Sequence, residues 1–132
     1  MKLKHTIQNS VILTILSFST LASASKDFIN CPSVQNIKDA SSKLDKVSPV
    51  AGKYSVTTTN VAFMDEYNQF WCVGDYIAAK DSDDALVQSK DNVANTSSRV
   101  GPYADHNLCY YQGKVTAVYA MVAIDDGGVV RC

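Results

Sequence analysis

Histidine is scarce in this chain, occurring only as His5 and His106 among 132 residues. Zinc takes three or four ligands, so a centre built on paired imidazoles is excluded for any part of the chain without His5. Glutamate occurs once, as Glu66, among thirteen acidic residues. Aspartate favours caps and turns over helix interiors, so the bias argues against a long helical bundle. The uncharged apolar run 11–21 falls short of the about 20 residues that span a bilayer. Lysines and arginines are not clustered and the net charge is −1. A nucleic-acid binder, which needs a concentrated basic face, is therefore not expected. There is no Gly-x-Ser-x-Gly elbow, phosphate-binding glycine loop or Cys-x-x-Cys pair. With no complete catalytic set, the expectation is a protein that is not an enzyme.

The N-terminus is what the chain does have. Lys2 and Lys4 precede the apolar run, and the small residues Ala22-Ser23-Ala24 follow it. That order is the signature of a secretory signal peptide. Residues 1–24 are expected to be removed, leaving residues 25–132 as one domain, periplasmic or secreted, with no stable membrane insertion afterwards. The first cysteine, Cys31, lies well beyond the cleavage site, so no lipid anchor is expected. All four cysteines, Cys31, Cys72, Cys109 and Cys132, fall in the exported part. An even count in a small exported domain reads as two disulfides.

Periodicity places the elements. Pro32 is expected at the first position of a helix that carries Val34, Ile37, Leu44 and Val47 on one stripe and stops before Pro49. A threonine-rich strand over 54–61 follows, with one solvated face, and then a strand over 70–79 that is apolar on both faces and therefore central. Ser82 followed by Asp83 and Asp84 reads as the cap and first turn of a second helix, with Ala85, Leu86, Ser89 and Val93 as its stripe. Residues 101–106 read as a loop, 107–111 as a strand, 115–124 as an almost continuous apolar strand, and the tail as a last strand ending at Cys132 after a turn at 125–128. The segregated order implies an α+β fold: a small disulfide-stabilised domain with an antiparallel sheet and two helices on one face. In such a meander Cys109 and Cys132 fall on opposite sides of a middle strand. A bridge needs Cα atoms within about 7 Å, so that pairing is disfavoured, while the other connectivities stay open.

Few residues suggest a site. Asp81-Ser82-Asp83-Asp84 imitates the start of a calcium loop, but Leu86 and Asn92 stand where its glycine and glutamate belong. The aromatics are more informative. Tyr103, Tyr110, Tyr111 and Tyr119, with Phe70, Trp71 and Tyr76, concentrate in the second half, and Tyr110 and Tyr111 must point to opposite sides of their strand. One of the two should pack and the other face outward as an interface residue. His106 with Tyr110 or Tyr111 is also the one set that could ligate haem iron.

The leader, Cys31-Pro32-Ser33 opening a short helix, the strand at Phe70-Trp71, the helix start at Ser82 and the late Cys109-Tyr110-Tyr111 together resemble small exported proteins of Legionella and Coxiella. These include the type IV secretion-associated EirA group and members labelled haemin-binding. The resemblance implies a periplasmic bacterial protein that supports secretion or intracellular growth, with no catalytic residues to carry across. The expected function is a non-enzymatic interaction module docking to an envelope protein, with no cofactor. The alternative is a small-ligand carrier with haem as its ligand. Oligomeric state and partner identity are not legible.

Overall fold

The computed structural model describes residues 28–132. The expected signal peptide, residues 1–24, lies outside the described residues. In chain order the elements are α1 (Val34–Asp39), a 3-10 turn (Ala40–Lys43), β1 (Lys46–Val50), β2 (Lys53–Thr57), β3 (Phe63–Met64), β4 (Phe70–Ile77), α2 (Ser82–Ala94), β5 (Ser98–Asp105), β6 (Leu108–Gln112), β7 (Ala117–Val122), β8 (Ile124–Asp126) and β9 (Val129–Arg131). The main sheet runs β1-β2-β4-β7-β6-β5, with β3 beside β4, and every pairing is antiparallel. It is a small α+β domain with two disulfides, as the residue pattern implies.

β4 is central because it can bury both sides. Trp71, Val73, Asp75 and Ile77 alternate with Cys72, Gly74 and Tyr76, and all but Phe70 and Tyr76 are buried. Ile37, Leu44, Val56, Val93, Tyr111 and Val118 join Trp71 and Val73 in the core between sheet and helices. The Trp71 indole N–H donates to Asp65 Oδ2 at 2.7 Å, while Asp65 Oδ1 accepts the backbone N–H groups of Tyr67 and Gln69. One carboxylate thus shapes the β3–β4 turn and satisfies the only polar atom of a buried ring.

The polar pin between the layers is Asp75, which is fully buried. Its carboxylate accepts from Ser89 Oγ at 2.7 Å and from Asn92 Nδ2 at 2.9 Å, both on α2. Asn92 Oδ1 in turn accepts the N–H groups of Val115 and Thr116 in the β6–β7 turn. Helix, central strand and turn are joined through two side chains. Burial is the larger influence on Asp75 and raises its pKa above the usual carboxylate value; the Ser89 and Asn92 hydrogen bonds pull the other way.

Five expectations from periodicity are corrected. The first helix ends at Asp39 and its 3-10 continuation at Lys43, and Val47 and Pro49 belong to β1; as an edge strand it tolerates a proline that would break a central one. Pro32 precedes the helix, and Ser33 caps it by accepting from Asn36 N. The cap of α2 is Asp81, which accepts from Asp84 N at 2.8 Å, rather than Ser82. Residues 101–105 are strand, not loop. β5 is the other edge, it carries a register shift between Val100 and Asp105, and Gly101 supplies the φ of +80° there. Residues 29–31 pair outside it, with Cys31 N donating to Pro102 O and Ala104 N to Ile29 O. The tail also differs: β9 pairs with β8 in a separate two-stranded ribbon and not with β7.

The bridges are Cys31–Cys109 and Cys72–Cys132, with Cα–Cα distances of 5.7 and 5.6 Å. Cys109 shares its sheet face with Tyr111, so the first bridge ties the start of α1 to the helix side. Cys72 faces the other way, and the second bridge draws the end of the ribbon onto the opposite side, where Cys132 Sγ lies 3.6 Å from Thr58 Oγ1. Each bridge closes a long loop, so its removal is expected to lower stability by about 2–5 kcal/mol. Peptide mapping without reductant should return these two pairs; any Cys31–Cys72 or Cys109–Cys132 peptide contradicts the topology.

Asp75 gives a pH-dependent prediction. With its pKa raised on folding, the native chain holds a proton more tightly than the unfolded chain does. The stability it contributes is therefore full below the unfolded carboxylate value and lost as pH rises through the raised native value. An asparagine at this position can accept from Asn92 while Ser89 turns to accept from its amide. Asp75→Asn should accordingly gain in melting temperature relative to the parent as pH is raised from about 4 towards neutrality. A difference that is flat with pH, or that shrinks, contradicts this.

Candidate functional site

Both helices pack on one side of the sheet, so the other side keeps whatever strand alternation places there. On β4 that is Tyr76 and Gly74, on β7 Tyr119 and Met121, and on β6 Tyr110 and Leu108. The pairings Gly74↔Tyr119, Tyr119↔Tyr110 and Tyr110↔Val100 set these residues in one row across four strands, with Met121↔Leu108 in the next. Tyr76, Leu108, Tyr110, Tyr119 and Met121 line a shallow hollow of about 330 Å³. Tyr76 and Tyr110 are 48% and 45% exposed, and it is their grouping with Leu108, Tyr119 and Met121 in one contiguous apolar patch, rather than their exposure singly, that marks the face.

Gly74 makes the shape of this face. A Cβ at this position would stand 2.7 Å from both the Tyr119 hydroxyl oxygen and the Val56 carbonyl oxygen. The missing side chain lets Tyr119 lie down across β4, where its ring packs 5.8 Å from that of Tyr76 at an interplanar angle of 33°. Half-burial pushes the Tyr119 phenol up to about 12, helped by Tyr76 and Asp75 and opposed by the Ser55 hydroxyl. The result is an anchored aromatic platform rather than a set of free side chains, which reduces the ordering cost of binding.

The residues singled out from the sequence fall in different places. Tyr110 stands on the open face. Tyr111 is 1% exposed in the core, its hydroxyl donates to Pro32 O at 2.6 Å, and burial raises its pKa. A Tyr111 ligand to haem iron would have to give up that bond and leave the core. His106 lies with Asn107 in the two-residue β5–β6 turn, both at positive φ, 50° and 65°. Such a turn demands that conformation, and the exposed imidazole lies 3.4 Å from Asp105. The histidine thus stands in the exposed turn, whereas the Tyr111 hydroxyl is bonded to Pro32 in the core. All four cysteines are in disulfides. In the calcium-like segment, Asp81 and Asp84 accept hydrogen bonds at the start of α2, from Asp84 N and from Lys80 N and Gln88 Nε2 respectively.

Leu108, Met121 and Gly74 are absent from the sequence reading of the site. The signal for Met121 lay within 115–124, where Tyr119 and Met121 alternate with Val118 and Ala120, but a continuously apolar run hides its two faces. Comparison with protein-family models, with curated proteins and with solved structures finds no match to this chain.

Gly74→Ala tests the platform. The added methyl group meets backbone as well as the Tyr119 hydroxyl, so a loss of about 1–3 kcal/mol is expected. Tyr119 should be displaced outward, and its phenol, followed by ultraviolet titration, should fall from about 12 towards the ordinary tyrosine value. An unchanged titration together with unchanged stability contradicts the role given to this glycine.

Proposed function

We propose that this protein acts in a bacterial periplasm as a non-enzymatic docking module, holding another envelope protein on its tyrosine face. The observation that carries the reading is the hollow of Tyr76, Leu108, Tyr110, Tyr119 and Met121, open among the described residues. Tyrosine supplies a large amphipathic contact at low conformational cost and is enriched at interfaces. The setting is supported by the export signature at residues 1–24 and by two disulfides, which form in oxidising compartments. Among the described residues, no helix is long and apolar enough to cross a membrane. The resemblance to exported Legionella and Coxiella proteins directs the proposal towards secretion or growth inside a host cell.

Neighbouring tyrosines separate docking from folding. Tyr110→Ala should keep the parent's melting temperature and lose about 2 kcal/mol or more of partner affinity, as interface anchors do. Tyr111→Ala should lose about 3–5 kcal/mol of stability, as a buried aromatic does, and melt early. Pull-down from the native envelope with each variant, read by mass spectrometry, makes the comparison. If Tyr110→Ala captures the same protein as well as the parent does, the docking face is wrong; if the purified parent turns over a substrate, the non-enzymatic reading is wrong.

A further inference from the structure

The β1–β2 flank of the tyrosine face carries positive charge, in a chain whose net charge is negative. The pairings Ser55↔Tyr76, Ser48↔Ser55, Lys46↔Thr57 and Val50↔Lys53 place Lys46 of β1 and Lys53 of β2 on the same side of the sheet as Tyr76. Both lysines are exposed, and neither belongs to an ion pair among the described residues. No aspartate or glutamate occupies an open-face position on β1, β2, β4, β6 or β7. Asp75 points into the core, and Asp105, paired with Leu108 at the far end of β5, stands beside His106 at the edge of the face opposite the lysines. Lys53 adjoins the tyrosine hollow through Tyr76, and Lys46 stands farther along β1, in the row of Thr57 and Gly74. Tyr76 lines the 330 Å³ hollow and also a second one of about 300 Å³ that includes Lys53.

We infer that the segment docking on this face is acidic: an apolar anchor side chain seated among Tyr76, Tyr110 and Tyr119, with carboxylates reaching Lys46 and Lys53. The inference rests on the docking reading and adds the chemistry of the partner. Unpaired ammonium groups beside an apolar hollow favour a partner of opposite charge and reject one with basic residues there, because like charges brought together at an interface are penalised. The row Lys46–Thr57–Gly74–Tyr119 also sets a spacing. Strands lie about 4.8 Å apart, so Lys46 stands roughly 14 Å from the strand that carries Tyr119, and an extended segment rises about 3.3 Å per residue. The carboxylate therefore lies about four residues from the anchor.

The test is selection from a displayed library of random linear peptides on three immobilised proteins: the parent, Tyr110→Ala, and the double variant Lys46→Glu/Lys53→Glu. The lysines are exposed, so the double variant should match the parent in melting temperature. The parent should enrich peptides with an aromatic or aliphatic residue and Asp or Glu about four positions away. One such peptide, synthesised, should bind the double variant at least tenfold more weakly and lose affinity to the parent as salt is raised. If the enriched peptides depend on Tyr110 but carry no acid, or bind the double variant equally well, the acidic partner is wrong while docking stands. If no enriched peptide depends on Tyr110, the docking reading falls and the inference with it.

Discussion

The Asp75 carboxylate, held by Ser89 and Asn92, is the contact on which the arrangement of this domain depends. It fixes which side of β4 the long helix covers, and through Asn92 it sets the β6–β7 turn that brings β6 and β7 into register. A buried carboxylate with two neutral donors is costly unless every lone pair is well placed. Here the cost is offset by direction: apolar contacts alone would let α2 slide along the sheet, whereas two hydrogen bonds to one side chain do not. No buried side-chain polar atom among the described residues lacks a partner.

Once α2 is committed to the Trp71–Val73–Asp75 side, the Cys72–Gly74–Tyr76 side is left over. Its two ends are treated differently. At the Cys72 end the bridge to Cys132 brings in the terminal ribbon, and at the other end no described element covers Tyr76, Tyr119 and Tyr110. The Cys31–Cys109 bridge performs the matching task on the helix side, tying the N-terminal segment to β6 beside the buried Tyr111. The two disulfides thus close opposite faces of one sheet. The exposed platform stands on a rigid base, which is where a binding surface gains most from preorganisation.

Much of this was legible in the residues, and the exceptions share a cause. β4 was visible because both of its faces are apolar, α2 because its first turn carries acids, and the α+β architecture because helices and strands are segregated along the chain. Asp75 and Asn92 were missed because polar side chains in a core carry no periodic signal; Ser89 reads only as one position of the α2 stripe. β1 and β5 were misread because Pro49 and Gly101-Pro102 look like breakers, yet β1 is a sheet edge, where a missing N–H costs little, and Gly101-Pro102 fall in the irregular stretch of β5 between Val100 and Asp105. The opposed fates of Tyr110 and Tyr111 followed from strand alternation, but which of them faced outward required the position of the helices. Pairing the last strand with β7 failed because the chain turns into a separate ribbon, with Cys132 drawn to Cys72.

Chemical nitration of tyrosine, read residue by residue by mass spectrometry, tests most directly whether the open face is a docking surface. The chain supplies its own controls: Tyr67 and Tyr103 are exposed outside the hollow, at 63% and 54%, and Tyr111 is buried. In the purified protein Tyr76, Tyr110, Tyr67 and Tyr103 should react and Tyr111 should not. In the intact envelope, docking through this face predicts that Tyr76 and Tyr110 become protected while Tyr67 and Tyr103 keep their reactivity. Equal nitration of Tyr76 and Tyr110 in the two settings would contradict it.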